Sequence, residues 1–154
     1  MTSSFRVSGI PPQVLADVRA RRTDEYGNDF AIRTDASGGA PLRCCLRESR
    51  PGERIGLMAY APFPWSGPYA EVGPVFVHAD ECPGYDTPGD WPQEYRGRPQ
   101  VLRAYGPERS IVAARVAESE EIDAALRELL ADDGVEFVHS RNVAHGCWML
   151  TVSR

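Results

Sequence analysis

The 154-residue sequence predicts one α+β domain, with a largely antiparallel sheet of about six to eight strands and two main helices. Three observations support this class. Several short segments alternate apolar and polar residues, as half-buried strands do. Two longer segments repeat apolar residues at helical spacing. The hydrophobic fraction of 42% and the charged fraction of 25% are typical of a globular chain, and neither an internal repeat nor a second domain is evident.

Both predicted helices have residues that suit their ends. Pro11 and Pro12 open the first, because proline fits a first helical turn, and it ends near Arg21–Arg22. The second spans Glu120 to Ala131, with Ser119 as its expected cap and Gly134 ending it. The expected buried stripes are Val14, Leu15 and Val18 in the first helix and Ile122, Leu126, Leu129 and Leu130 in the second.

The predicted strands precede, separate and follow these helices. In chain order they are Phe5–Ser8, Ala31–Thr34, Arg54–Ala61, Pro74–Ala79, Val101–Tyr105, Ser110–Val116, Val135–Arg141 and Trp148–Ser153. Alternation along the fourth strand places Phe76 and His78 on one face. The stretch 80–99 is rich in proline, glycine and acidic residues without periodicity, and such a long loop in a compact domain is often a lid or binding loop.

Composition and charge exclude several classes of function. The net charge is −5 and the arginines are scattered, so no nucleic-acid partner is expected. All 17 Lys/Arg side chains are arginine, which excludes Schiff-base and P-loop lysine chemistry. Neither a membrane span nor a secretory signal is evident, so we expect a cytoplasmic protein with four reduced cysteines.

Cys45 is the first candidate for chemistry, as a nucleophile or a ligand. Arginines surround it in the sequence, and positive surroundings favour the reactive thiolate. In a cysteine–histidine enzyme, Cys45 or Cys147 would attack and His78 would activate the thiol, with Asp80 or Glu81 orienting the imidazole. The alternative is that one cysteine of the Cys44–Cys45 pair is a small core residue and the other is incidental.

A metal is the second interpretation of the same residues. His78 ends a strand, and Cys82 follows four residues later. Cys45, His78, Cys82 and Cys147 together make an adequate zinc set, although neither a CxxC nor an HExxH motif anchors it. For His78 the alternative is an imidazole that is merely hydrogen-bonded to a carboxylate.

The turn between the last two strands is the third candidate region. Arg141 offers a bidentate fork for a carboxylate or phosphate group, and Asn142 offers an amide. Glu71 is the one acid within an otherwise apolar run, so we include it with Asn142 and Cys147 among the ligand-binding candidates. The alternative is that Arg141 only ties the hairpin to an acidic residue, with Gly146 at a positive-φ position.

Three sets of residues resemble motifs of an uncharacterised bacterial family, domain of unknown function 1203: Pro41–Leu46; Pro68–Ala79 with Cys82 and Tyr85; and Arg141–Asn142 with Gly146–Cys147. The resemblance covers nearly the whole chain and implies no established activity. The family's usual first motif, Cys-Arg-His-Cys, matches Leu42 to Cys45 here. The resemblance therefore implies that a ligand was lost at position 42 if the family binds a metal there. The resemblance supports Cys45, His78, Cys82 and Cys147 as site residues, because they match family positions. His145 does not match one, so we treat it as incidental.

We therefore expect a small-molecule binding or catalytic domain, without deciding whether it is an enzyme. Its site would lie where the Cys45 segment, the His78 strand end and the Arg141–Cys147 loop converge, with Cys45, His78 and Arg141 as the catalytic candidates. The alternatives are the zinc-binding domain and a non-catalytic interaction module that contacts a protein through exposed Trp65 and Trp91.

Overall fold

The computed structural model describes residues 5–154, and within them it has ten strands and two helices. The strands are β1 (Arg6–Ser8), β2 (Ala31–Asp35), β3 (Pro41–Leu42), β4 (Arg47–Glu48), β5 (Glu53–Tyr60), β6 (Gly73–His78), β7 (Gln100–Tyr105), β8 (Ile111–Ala117), β9 (Phe137–Asn142) and β10 (Trp148–Ser153). The helices are α1 (Pro12–Arg21) and α2 (Ile122–Ala131), and Gln93–Tyr95 and Ser119–Glu121 are single 3-10 turns.

The strands form two five-stranded sheets. Sheet I has the order β1-β10-β9-β7-β8, and sheet II has the order β2-β5-β6-β3-β4. Every pairing is antiparallel except that of β3 with β6, which is parallel. The predicted α+β class with a largely antiparallel architecture is confirmed. The division into two sheets was not predicted, because alternation within a strand carries no information about which strands are neighbours.

Each sheet has its own apolar core and its own helix. Helix α2 buries Ile122, Leu126 and Leu130 in the core of sheet I. Helix α1 buries Leu15 and Val18 against sheet II. The burial of apolar surface, which contributes about 25 cal/mol per Å², is the main force that holds both helices in place. The predicted stripes are therefore mostly the observed ones, and Leu129 is only partly buried.

The start of α2 differs from the predicted one. Glu118 rather than Ser119 is a cap, and it caps the 3-10 turn that precedes α2: its carboxylate and that of Glu121 each accept a backbone N–H of the other residue. Because Ser119–Glu121 forms a 3-10 turn, α2 begins at Ile122 rather than at the predicted Glu120.

The long segment 80–99 is anchored by two aromatic residues. Trp91 and Tyr95 are buried in the core of sheet I, with exposed fractions of 2% and 0%. The Tyr95 hydroxyl donates to the Leu42 carbonyl at 3.1 Å. Trp91 is therefore not the exposed contact residue that the interaction-module hypothesis requires, because it fills core volume instead. The lid role of the segment stays a prediction.

Within residues 5–154, neither helix is long and apolar enough to cross a membrane.

Candidate metal centre

The turn between β3 and β4 meets the end of β6. The Arg43 N–H donates to the Phe76 carbonyl at 2.9 Å, which continues the parallel pairing of β3 with β6. Leu46 adopts a left-handed φ of 57°, and its N–H returns to the Leu42 carbonyl. This tight turn presents Cys44 and Cys45 on the same side, next to the last residue of β6.

Four side chains converge there. The Cys44 and Cys45 sulfurs lie 3.9 Å apart, and each is close to Nδ1 of His78, at 3.6 and 3.7 Å. With Cys82, they form a group whose ligand atoms all lie within 4.8 Å of one another. We call Cys44, Cys45, His78 and Cys82 the CCHC cluster. Cys44 is buried, and the other three are half-buried.

These spacings match those of a tetrahedral metal site. Zinc holds sulfur at about 2.3 Å and imidazole nitrogen at about 2.0–2.1 Å, which places tetrahedral ligand atoms about 3.8 Å apart for two sulfurs and about 3.5 Å apart for sulfur and nitrogen. The distances of 3.9, 3.6 and 3.7 Å differ from these values by a few tenths of an ångström at most. A zinc ion would therefore fit between Cys44, Cys45 and His78 with little movement of these three ligands, and the Cys82 ligand atom lies within 4.8 Å of each of them.

The imidazole of His78 is oriented from behind by Glu53 and Arg47. Its Nε2 donates to the Glu53 carboxylate at 2.9 Å, which leaves Nδ1 as the ring nitrogen that faces the thiols. Arg47 holds the same carboxylate with two hydrogen bonds of 2.8 and 2.9 Å. The Arg47 guanidinium is also the largest cause of the depressed pKa of Glu53.

The members of the cluster shift one another's pKa values in different directions. The Cys44 thiol donates to the Cys45 sulfur, and this hydrogen bond, together with burial, raises the pKa of Cys44 to about 12. The same hydrogen bond lowers the pKa of Cys45. Hydrogen bonds to Cys44, Cys82 and Glu53 raise the pKa of His78 to about 9 although burial opposes the shift. Without a metal, the cluster therefore holds protons on His78 and Cys44 at neutral pH and favours the thiolate at Cys45 over that at Cys44, and a metal ion has to displace these protons.

The remaining predicted residues lie elsewhere. Glu71, Arg141 and Cys147 line a common cavity of about 210 Å³, where Nη2 of Arg141 lies 3.4 Å from Glu71. The side-chain oxygen of Asn142, Oδ1, accepts the backbone N–H groups of two residues in its own turn. Cys147 is not one of the clustered ligands. The structure thus brings together Cys45, His78 and Cys82, and separately Glu71, Arg141 and Cys147.

Sequence reasoning missed Cys44, Arg47 and Glu53. Asp80 and Glu81 were expected to orient His78, but Asp80 pairs with Arg54 at 2.7 Å and Glu53 takes the orienting role. The signal for Glu53 lies in the pairing of β5 with β6, which sets Ile55 opposite His78 and brings Glu53 close to it. The CCHC cluster offers four candidate ligand atoms without a cysteine at position 42.

Fold and cluster together define an α+β domain with a Cys/His cluster that could hold a metal ion. Residues 39–154 match the family described as "Protein of unknown function (DUF1203)", and the chain belongs to this family. The match contains the whole CCHC cluster and starts after β2. Comparisons with curated proteins and with solved structures gave no match.

Proposed function

We propose that this protein is a zinc-binding domain in which the CCHC cluster supplies all four ligands. The observation that carries the proposal is the spacing of the Cys44 and Cys45 sulfurs and of Nδ1 of His78, at 3.6–3.9 Å, with the Cys82 ligand atom within 4.8 Å of the other three. Thiolate and imidazole ligands in tetrahedral array favour zinc over magnesium, calcium or manganese, which prefer oxygen.

The role that the geometry supports best is structural. Four protein ligands close the coordination sphere, whereas catalytic zinc sites keep one position for water. The zinc would join the β3–β4 turn, the end of β6 and the start of segment 80–99. That segment then places Trp91 and Tyr95 in the core of sheet I, so the zinc would stabilise the packing of the two sheets.

The charges around the site suit three thiolates. A zinc ion with three thiolates and one neutral imidazole carries a net charge of −1, by the charges of the ligands. Arg47 lies beside Cys45, where it also helps to lower the pKa of this thiol after the larger effect of Cys44. Glu53 accepts the His78 Nε2 proton and so keeps Nδ1 free for the metal.

The test is metal content in protein purified without a metal-affinity column. Wild type is expected to retain about one zinc per chain after reconstitution and dialysis. Cys45→Ser, His78→Ala and Cys82→Ser are expected to lose it, whereas the matched control Cys147→Ser retains it. Wild-type zinc below about a tenth of an equivalent would refute the proposal, and so would a loss of zinc in Cys147→Ser alone.

A Cys45 nucleophile is the second candidate. The Cys45 sulfur, Nδ1 of His78 and the Glu53 carboxylate form a chain with links of 3.7 and 2.9 Å, which resembles a thiol–imidazole–carboxylate triad. Cys45 also borders a cavity of about 430 Å³. This candidate predicts fast alkylation of Cys45 by iodoacetamide, slowed in Glu53→Gln, in protein that holds no zinc after reconstitution. Protection of Cys45 by stoichiometric zinc would count against it.

A further inference from the structure

A separate cavity lies beside the β9–β10 turn, and none of the CCHC cluster lines it. Its volume is about 260 Å³, and we call it the Arg43 cavity. Its walls include Arg43, Leu57, Phe76, Arg98, Asn142 and Cys147. Two arginines line it, and among the residues that the structure describes no aspartate or glutamate does. That is unusual in a chain with a net charge of −5.

Arg43 carries a buried positive charge without an acidic partner. The residue is 3% exposed, and its Nε and Nη1 donate to the carbonyls of Trp148 and Pro41 at 2.9 and 2.6 Å. Within residues 5–154, no carboxylate lies within ion-pair distance of its guanidinium. An arginine stays charged inside proteins, and a buried charge is normally paired.

The two arginines of the cavity differ in their partners, and among the described residues only Arg43 lacks an acidic one. Arg98 itself is neutralised by Glu48, with which it forms an ion pair. The Arg43 cavity therefore has an unpaired positive charge in its lining, which a bound anion would neutralise.

Another part of the lining is apolar. Leu57 and Phe76 lie side by side as register partners on the paired strands β5 and β6, and Leu57, 38% exposed, stands at the rim. Asn142 uses its side-chain oxygen within its own turn, so its amide N–H groups remain as donors. A ligand that satisfies both parts of the lining has an anionic end and an apolar body.

We propose that the Arg43 cavity binds a small monocarboxylate, with the carboxylate on Arg43 and the apolar body against Phe76 and Leu57. Arginine is the side chain best matched to a planar carboxylate. Drug-sized ligands occupy pockets of about 300–1,000 Å³, so a cavity of about 260 Å³ suits a compact acid. This proposal does not depend on the metal centre, because the cavity and the CCHC cluster have no residue in common.

The experiment measures binding of benzoate, cyclohexanecarboxylate and isovalerate to the full chain by calorimetry and by NMR. At least one of the three is expected to bind with a Kd of about 1 mM or tighter. The matching neutral amides and inorganic phosphate are expected to bind at least about tenfold more weakly, because each lacks one of the two features. Shifted amide signals are expected at Phe76, Asn142 and Cys147.

Variants in both parts of the lining test the assignment. Arg43→Met is expected to weaken binding at least about tenfold, and Arg43→Lys is expected to restore part of the affinity. Because Arg43 also binds two carbonyls, Leu57→Trp provides a second test at the rim, where the larger side chain fills the cavity without touching the Arg43 hydrogen bonds. Val112→Trp, at a half-exposed position on β8, is the matched control.

Three results would each overturn the proposal. The first is that none of the three acids binds to wild type. The second is that a folded Arg43→Met protein binds as tightly as wild type. The third is that Leu57→Trp and Val112→Trp bind equally well. Wild-type protein that binds benzoate but no zinc would refute the proposed metal centre and leave this inference intact.

Discussion

His78 and His139 both lie in strands, yet their surroundings shift their pKa values in opposite directions. His78 ends β6 with a side chain that is 13% exposed, and its hydrogen bonds to Cys44, Cys82 and Glu53 raise its pKa to about 9. His139 lies within β9 and is fully buried, and burial, followed by the charge of Arg141, lowers its pKa to about 3.

The partners of each ring explain the contrast. The rings of Phe63, Tyr105 and Phe137 surround His139, with their centroids 4.7–5.0 Å from that of the imidazole. Neither of its ring nitrogens forms a hydrogen bond of good geometry in the described part of the chain, so it packs as a neutral aromatic. A histidine becomes a ligand where donor atoms converge on it, and only the His78 position meets that condition.

Removal of the metal is expected to have the largest effect. If free zinc is about 1,000-fold above the Kd, chelation removes about 4 kcal/mol of stability. For a chain of this length, that corresponds to a fall in Tm of about 8–16 °C, measurable by differential scanning calorimetry with and without chelator. The same chelator is expected to leave the Tm of Cys82→Ser unchanged. Equal chelator effects on both proteins would contradict the account.

Glu53→Gln is expected to have the next largest effect, because it disturbs the orientation of His78 without removing a ligand. Loss of such a supporting carboxylate typically weakens metal binding about 10- to 100-fold, equivalent to about 1.4–2.7 kcal/mol. Competition with a chromogenic chelator measures the change. Asp80→Asn is the matched control, because Asp80 pairs with Arg54 and not with His78. A larger effect from Asp80→Asn than from Glu53→Gln would show that the orienting residue is misassigned.

Acid is expected to act through His139 rather than His78. The folded pKa of His139, about 3, lies below the ordinary 6.5, so the unfolded chain binds the proton first. The stability from neutral His139 is thus complete above pH 6.5 and declines as the pH falls towards 3. At pH 5 the loss is about 2 kcal/mol.

Urea unfolding of chelator-treated protein at pH 7 and pH 5 measures this loss. His139→Phe keeps the aromatic packing and removes the titration, so its stability is expected to change less with pH than that of wild type. Comparison of the two proteins cancels the contribution of His78, which is present in both. The assignment fails if the two pH dependences are parallel.

The sequence predicted most of the fold because most strands and both helices have a clear periodicity. Strands β3 and β4 were missed since two residues each are too few for any pattern. They matter nevertheless, because the turn between them carries Cys44 and Cys45. Their pairing with β6 is non-local and depends on the tertiary fold.

The site was predicted only in part. Cys44 stands where the resembled family commonly has histidine, so only Cys45 of the adjacent pair was kept as a candidate. The tight turn at Leu46 instead brings both sulfurs to His78. Glu53 lies 25 residues from His78 along the chain and becomes its neighbour only through the β5–β6 register.

X-ray absorption at the zinc edge of the reconstituted protein tests the central claim most directly. The CCHC cluster predicts three sulfur ligands at about 2.3 Å and one nitrogen ligand at about 2.0–2.1 Å. In His78→Ala, any zinc that remains is expected to lose the nitrogen and keep the sulfurs. A wild-type spectrum with fewer than three sulfur ligands, or one that Cys147→Ser alters, would contradict the assignment.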